Sequence, residues 1–259
     1  MKEQTENTRL DAEAAKAIAK LHFDNVKVGH ALRNLRKRQV SRVSYDGGRY
    51  VVKSYHINPF RRIFDCMPFN ADYADLLGDL TPTLRANFAY SFNCQVTVVD
   101  DAGEMDMFHL FGLSPLPSDF KDKYLESGKL LAKIHAKNIF HADTKPPNFV
   151  INSNLPAMPP ILIIDCDKVR KYPTLPMEKK VFNIAQFIAC NSPNVESNLK
   201  LYHDAMKAFL GGYAQEANLP REEMEAIVEK AVACALGNKK IEVRMPPEML
   251  KGLACKNNG

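Results

Sequence analysis

The sequence has no long apolar run and no hydrophobic signal segment. A helix that crosses a bilayer needs about 20 predominantly apolar residues, and no stretch of this chain approaches that length. The first residues, MKEQTE, are polar and charged, unlike the apolar region of a secretory signal peptide. We therefore expect a cytoplasmic protein without a membrane-spanning helix.

Closely spaced cysteine pairs are also missing. The cysteines are scattered along the chain: Cys66, Cys94, Cys166, Cys190, Cys234 and Cys255. None forms a C-x-x-C pair or a Cys/His cluster with metal-ligand spacing, which excludes the common zinc-binding motifs. We expect buried or free reduced thiols.

Acidic residues are scarce between Lys27 and Arg62. This segment holds ten basic residues against the single acid Asp46, although the net charge of the chain is only +5. The basic residues are Lys27, Arg33, Arg36, Lys37, Arg38, Arg42, Arg49, Lys53, Arg61 and Arg62. Such a local field attracts phosphates or an anionic membrane surface, and a solvated basic face is the alternative.

Length and composition indicate a folded protein of one large domain or two lobes. The chain has 259 residues, of which 46% are hydrophobic and 25% charged, which argues against extensive disorder. Lobes of roughly 100 to 150 residues are the expected size. A strand-rich half precedes a helix-rich half, so we predict an α+β protein with lobes at residues 1–112 and 113–259.

The first half contains patterns typical of helices and hairpins. Thr8 and Asp11 resemble a capping box before an amphipathic helix. Alternating residues around Asp46-Gly47-Gly48 predict a hairpin that places Lys53 on its second strand. We further expect a helix within residues 69–80 and a second hairpin that turns at residues 100–103.

The second half is predicted to be mainly helical. Ser118 is a candidate N-cap for a helix that ends near Lys137-Asn138, and three more helices are expected within residues 178–189, 198–214 and 221–236. Two short apolar runs, at 149–151 and 161–164, predict buried strands. Residues 239–259 carry no clear pattern.

Polar residues beside these two strands form the most informative motif. Phosphoryl transfer needs a carboxylate that orients the acceptor hydroxyl, metal ions on the donor phosphates and cations against the developing charge. The motif H-x-D-x-K-x-x-N occurs as HADTKPPN and contains Asp143, Lys145 and Asn148. Asp165 follows the second run, and the segment YVVK supplies Lys53. The combination predicts a catalytic loop and a metal-binding turn.

These motifs resemble the protein-kinase-like fold and, more narrowly, the lipopolysaccharide core kinase family, which phosphorylates heptose or Kdo sugars. The resemblance covers roughly residues 30 to 215 and rests on QVSRVSYDGGRYVVKSYH, HADTKPPNFVI, ILIIDCDKVR and NIAQF. It implies ATP and Mg²⁺ as cofactors, a two-lobed fold with the nucleotide between the lobes, and a lipid-linked saccharide acceptor. Such an acceptor would be met at the inner membrane face, where the basic segment would attach the enzyme peripherally.

The resemblance also implies a role for each site residue. Asp143 would be the base that aligns the sugar hydroxyl, and Lys145 would lie near the transferred phosphoryl group. Asn148 and Asp165 would bind magnesium. Lys53 would contact the α- and β-phosphates of ATP.

Three features differ from ordinary protein kinases. There is no G-x-G-x-x-G motif, so we expect the turn at residues 34–39 to cover the phosphates with cations instead. These cations are Arg36, Lys37 and Arg38. Ala142 stands where protein kinases carry arginine, which disfavours control by loop phosphorylation. The helix that should offer a glutamate to Lys53 has only Asp72 and Asp75.

Other interpretations of these residues are available. Asp143 and Asn148 could be turn formers, Asp165 a strand-end cap, and Lys53 an ordinary strand lysine. H-x-D-x-x-x-x-N also occurs in antibiotic and choline kinases and in short protein kinases, so an atypical protein or small-molecule kinase is an alternative. A third hypothesis is a catalytically idle pseudokinase that serves as a binding module. We expect no nucleic-acid partner.

Overall fold

The chain forms two compact units that divide between Ala102 and Gly103. A computed structural model describes residues 9–56, 72–190 and 199–254. The first unit carries an antiparallel sheet and the second is mostly helical. The predicted α+β class is therefore confirmed.

The first unit is built on a five-stranded sheet. Helix α1 spans Ala12–Lys27, and the strands are β1 (Arg33–Leu35), β2 (Arg38–Tyr45), β3 (Gly48–His56), β4 (Leu84–Ser91) and β5 (Cys94–Asp100). The strand order is β1-β2-β3-β5-β4, with antiparallel neighbours throughout. Helix α2 (Asp72–Leu77) and a 3-10 turn, Gly78–Leu80, precede β4.

The β2–β3 hairpin forms where the sequence predicts it. Asp46 and Gly47 have φ of 47° and 73°, the positive values that a tight hairpin turn requires and that Asp and Gly tolerate. Tyr45 pairs with Gly48 across this turn. The register then places Lys53 between Val40 on β2 and Thr97 on β5, inside the sheet.

Helix α1 packs against one face of this sheet and closes its core. Its N-cap is Asp11, which accepts from the Ala14 N–H at 2.7 Å; Thr8, the predicted cap, lies outside the described residues. Ile18 is fully buried in a cluster with Val43, Val52, Val96 and Val98. The predicted N-terminal helix is thus present, but the capping residue is Asp11.

We expected the second hairpin to turn at residues 100–103, and this prediction was wrong. Strands β4 and β5 are joined at Phe92-Asn93 instead. Asp100 and Asp101 are buried carboxylates rather than turn formers. Asp100 pairs with Arg85 at 2.7 Å, and Asp101 pairs with arginines from β2 and β3. Burial of a carboxylate requires such partners, which the local sequence around residue 100 does not contain.

The second unit has six helices and four short strands within its described residues. The helices are α3 (Met107–Leu110), α4 (Phe120–Ala136), α5 (Met177–Ala189), α6 (Leu199–Glu216), α7 (Arg221–Gly237) and α8 (Pro247–Ala254). The strands are β6 (Ile139–Phe140), β7 (Phe149–Ile151), β8 (Ile161–Ile163) and β9 (Arg170–Lys171). Helix α4 begins after the N-cap Asp119 and not after Ser118.

The boundary between the units precedes the predicted one at residues 112/113. Residues of the α3 region belong to the second unit because their backbone bonds to it. The Ile151 N–H donates to the Met105 carbonyl at 2.9 Å, and the buried Tyr124 hydroxyl donates to the Met107 carbonyl at 3.2 Å. Asp106 forms a bridge with Val150.

Helices α4 and α6 touch backbone to backbone. A Cβ at Gly128 would overlap the Phe209 carbonyl, and a Cβ at Gly212 would overlap the Leu125 carbonyl. Glycine is therefore required at both crossing points. Beside this contact, the buried rings of Phe187 and Phe209 stack at 3.8 Å.

Two expectations about absent features concern the described residues only. None of the helices in the described part of the chain is long and apolar enough to cross a membrane. Cys94, Cys166, Cys190 and Cys234 are free thiols, whereas Cys66 and Cys255 lie outside the described ranges.

Candidate active site

The pairing of β7 with β8 brings the predicted catalytic loop beside the predicted metal-binding turn. The loop runs from β6 to β7, and the turn follows β8, which pairs with β7. The Ile164 N–H donates to the Asn148 carbonyl at 2.9 Å, which extends this pairing to the residue before Asp165. Asn148 and Asp165 therefore lie on adjoining segments.

The Asp143 carboxylate is held by two neighbours from its own loop. Asn148 donates through Nδ2 to the Asp143 carbonyl at 2.7 Å and to Asp143 Oδ2 at 3.2 Å. Lys145 Nζ lies 3.4 Å from Asp143 Oδ1. The Asp143 side chain is 40% exposed, so an incoming hydroxyl can reach it. This geometry suits a carboxylate that orients an acceptor and takes its proton.

Asn148 and Asp165 offer oxygen atoms of the kind that Mg²⁺ binds. Asn148 uses Nδ2 on Asp143, and no described residue donates to its Oδ1. Asp165 adopts a left-handed conformation, with φ 62° and ψ 46°, directly after β8. Mg²⁺ takes one or two protein oxygen ligands together with substrate phosphates, so this pair fits it. The described residues hold no group of three or more His, Cys, Asp or Glu side chains that could bind a metal.

His141 connects the predicted catalytic loop to the predicted metal-binding turn through hydrogen bonds. The Asp143 N–H donates to His141 Nδ1 at 3.2 Å, so Nε2 carries the proton and donates to the Ile164 carbonyl at 3.2 Å. The ring is almost completely buried. Burial lowers the pKa of His141, against the opposing effect of the Asp165 and Asp143 carboxylates. His141 is therefore a neutral, structural histidine at pH 7.

Two buried polar side chains of helix α5 form hydrogen bonds to the predicted catalytic loop. Asn183 donates through Nδ2 to the His141 carbonyl at 2.5 Å and accepts, through its backbone carbonyl, from the Thr144 hydroxyl at 2.8 Å. Gln186 accepts from the Thr144 N–H at 3.1 Å and donates to the Ala142 carbonyl at 3.1 Å. The backbone on both sides of Asp143 is thus bonded to one helix.

His135 extends this support to helices α4 and α6. Its Nε2 donates to Asn183 Oδ1 at 3.1 Å, and its Nδ1 accepts from the Tyr213 hydroxyl at 2.8 Å. Burial lowers the pKa of His135 to about 4, so this ring is also neutral at pH 7. The sequence included Asn183 only in the resemblance motif NIAQF. The sequence feature that could have indicated the structural role of Asn183 is its polar side chain among the apolar residues of the predicted helix.

Lys145 has a second partner that the sequence did not predict. Its Nζ lies 3.6 Å from Glu242 Oε2, and Glu242 accepts from Arg244 Nε at 2.9 Å. The hydrogen bond from Arg244, followed by the nearby Lys145, holds the pKa of Glu242 below its usual value. Glu242 belongs to residues 239–259, which carried no pattern, so no local signal pointed to it.

The four predicted nucleotide-binding residues all lie in the first unit. Arg36 and Lys37 form the exposed two-residue turn between β1 and β2, where Leu35 pairs with Arg38. Arg38 lies over the Tyr55 ring, 5.5 Å from its centroid. Lys53 is on β3, and helix α2 contains no glutamate. Their assignment to ATP stays a prediction.

The basic segment is partly neutralised by acids that lie outside it in the sequence. Arg42 and Arg49 both pair with the buried Asp101, at 3.2 and 3.3 Å, and Lys27 lies 3.7 Å from Asp24. The count of ten cations against one acid therefore overstated the positive charge of the segment, because Asp101 lies outside residues 27–62 and was not counted. Arg61 and Arg62 lie outside the described residues.

No family profile matches the sequence, and no curated protein matches it significantly. Among solved structures, WaaP in complex with acyl carrier protein is similar over 83% of this chain and 89% of that chain, with 17% identity and a TM-score of 0.53. The chain has a protein-kinase-like fold. The autoinhibited serine kinase domain of the giant muscle protein titin also matches this kinase-like chain, over 85% of its length and 77% of the titin domain, with 15% identity and a TM-score of 0.47.

Proposed function

We propose that this chain is an ATP-dependent phosphotransferase that transfers the γ-phosphoryl group to a sugar hydroxyl of lipopolysaccharide core, on heptose or Kdo. The observation that carries the proposal is the exposed Asp143 carboxylate between Asn148 and Lys145, in a kinase-like fold. A lone carboxylate on a loop would carry little weight. Here the backbone on both sides of Asp143, at Ala142 and Thr144, is bonded to helix α5.

The residues would divide the chemistry as follows. Asp143 orients the acceptor hydroxyl and takes its proton as the oxygen attacks, while Lys145 places a positive charge beside the reacting groups. The Asn148 amide oxygen and the Asp165 carboxylate would hold the metal. Mg²⁺ bound there would neutralise charge on the phosphates of ATP. Lys53 is assigned to the α- and β-phosphates.

The sugar acceptor rests on the sequence motifs and on the similarity to WaaP, a lipopolysaccharide core heptose kinase. An atypical protein or small-molecule kinase would use the same loop on another hydroxyl. A pseudokinase is favoured by two observations: α2 lacks the glutamate that would pair with Lys53, and the Arg36-Lys37 turn lacks glycine. These alternatives differ in turnover and in acceptor.

The test is a phosphate-transfer assay with ATP and Mg²⁺ on purified lipopolysaccharide core fractions, read by mass spectrometry. Asp143→Asn should lower turnover by roughly two to four orders of magnitude, with ATP binding nearly intact, because a positioned base contributes about that much. Asp122→Asn, on the exposed face of α4, is the matched control and should be fully active. Unchanged turnover in Asp143→Asn would remove Asp143 from the mechanism. Binding of Mg-ATP without transfer to any fraction would favour the pseudokinase.

We also propose that the enzyme attaches peripherally to an anionic membrane through its basic segment. Arg33 is exposed on β1, and each basic side chain near such a surface contributes about 1 kcal/mol. Reversing three arginines to glutamate should release the protein from anionic vesicles without changing ATP affinity. These are Arg33, Arg61 and Arg62. The same reversal at residues 36–38 should weaken ATP binding. If cosedimentation with anionic vesicles changes neither with salt nor with the reversal of Arg33, Arg61 and Arg62, attachment through the basic segment is contradicted.

A further inference from the structure

The second unit contains a cavity of about 550 Å³ that borders the catalytic loop. Ala142, which directly precedes Asp143, lines it. Gln186 lines it as well and donates to the Ala142 carbonyl at 3.1 Å. The volume is in the range of small-ligand sites, roughly 300 to 1,000 Å³. A molecule in this cavity would therefore lie beside the loop that carries the catalytic carboxylate.

The charge of the cavity lining is strongly positive. Its cations are Lys168, Arg170, Lys179 and Lys240, and its only acid is Glu178. None of the four cations forms an ion pair with a described residue. Elsewhere in the same unit, lysines are paired with carboxylates, as in Lys121–Asp204 at 2.9 Å and Lys129–Glu126 at 2.8 Å. Unneutralised like charges around a concave surface attract an anion.

Two aromatic rings give the same cavity an apolar wall. Phe140 and Phe182 both line it, with their ring centroids 6.0 Å apart. Lys179 Nζ lies over the Phe140 ring, 4.8 Å from its centroid, so this cation is held at the wall. Ligand sites commonly combine apolar and aromatic walls with a few polar groups that fix orientation. Aromatic faces suit the C–H surface of a sugar ring, and the surrounding cations suit an acidic substituent.

We propose that this cavity binds an anionic sugar of the acceptor, one that carries a carboxylate or a phosphate, and so presents a neighbouring hydroxyl to Asp143. This inference rests on the proposed sugar kinase activity and adds the chemical class of the acceptor. Arg170 supplies a planar guanidinium that can bind either anion in two-point fashion. Lys168 and Lys240, both exposed on the lining, supply mobile point charges. Neutral saccharides gain nothing from these cations.

Binding without ATP separates this inference from catalysis. Asp143→Asn protein is titrated calorimetrically with three core oligosaccharides: one with a Kdo carboxylate, one with a heptose phosphate, and one that carries neither group. We expect both anionic saccharides to bind and the neutral one to bind at least tenfold more weakly. Adding Lys168→Gln, Arg170→Gln and Lys240→Gln together should weaken anionic binding by about a thousandfold, because three cations are removed and a hydrogen bond to a charged group is worth about tenfold or more.

The matched control removes the same number of positive charges away from the cavity. Lys133→Gln, Lys200→Gln and Lys251→Gln lie at exposed helical positions outside the lining, and this triple variant should bind like the parent. Raising the salt concentration should weaken the binding of the anionic saccharides to the parent protein, and this measurement needs no variant. The carboxylate and phosphate arms show which anion is preferred.

The outcomes distinguish the two proposals. Equal affinity for neutral and anionic saccharides, or equal effects of the two triple variants, would overturn the cavity assignment and leave the kinase activity standing. Anionic binding that the cavity variant abolishes, in a protein that transfers no phosphate to any saccharide, would support the cavity and contradict the activity. If active enzyme is used, the cavity variant should raise KM for the saccharide and leave KM for ATP unchanged.

Discussion

Replacing Asn183 by alanine is expected to lower the free energy of unfolding by roughly 2 to 6 kcal/mol, because it leaves two buried groups without a partner, each worth about 1 to 3 kcal/mol. One is the His141 carbonyl, and the other is the Nε2–H of His135. Both histidines are at most 3% exposed, so water cannot replace the amide. The same change releases the backbone beside Asp143, so turnover should also fall.

Urea unfolding followed by far-UV circular dichroism measures this loss, since the chain has no tryptophan for fluorescence. Tyr213→Phe is the matched control: it removes one hydrogen bond from His135 at Nδ1 and leaves the catalytic loop bonded. Its cost should be about 1 to 2 kcal/mol, with turnover unchanged. Asn183→Asp keeps an acceptor for His135 but loses the donor to His141. If Asn183→Ala costs no more than Tyr213→Phe, the loop does not depend on this amide.

Two further predictions concern the metal and pH. Asp165→Ala should abolish magnesium-dependent nucleotide binding, because a site with so few protein oxygens depends on each of them; calorimetry that finds parent-like Mg-ATP binding would contradict the assignment. Between about pH 6.5 and 4 the free energy of unfolding should fall as the pH is lowered. Burial lowers the pKa of His22 and His135 to about 4, so in this range these two histidines take up protons in the unfolded chain and not in the folded one. Each histidine contributes up to about 3 kcal/mol above that range, and His135→Gln should reduce the slope in urea titrations across it.

Features with a local cause were predictable from the sequence. The β2–β3 turn follows from Asp46 and Gly47, which tolerate positive φ at two adjacent positions. The loop at residues 141–148 and the turn at Asp165 were predicted as parts of one site from residue types at fixed offsets, and the pairing of β7 with β8 places the two segments side by side. The resemblance to kinases is confirmed at the level of fold.

Features that depend on distant partners were missed. Asp100 and Asp101 were predicted to be turn residues. Their arginine partners come from β2, β3 and β4, so the sequence next to them gave no sign that they are buried ion-pair members. Glu242 reaches Lys145 from a segment without any periodic pattern. The support that Asn183 gives to His141 and His135 joins three separate parts of the chain. Such contacts exist only once the chain is folded, so no window of the sequence contains them.

The close approach of α4 and α6 offers a way to recognise distant relatives of this chain. Gly128 and Gly212 are the two points at which a methyl group would strike the opposite backbone. Tyr213 adjoins Gly212, and His135 lies in the last turn of α4, so the helix spacing also sets the 2.8 Å bond between these side chains. A protein with a larger residue at either glycine would have to separate the helices and rebuild what they carry. A search keyed to these two glycines and to His135 should therefore discriminate homologues at identities where whole-chain alignment fails.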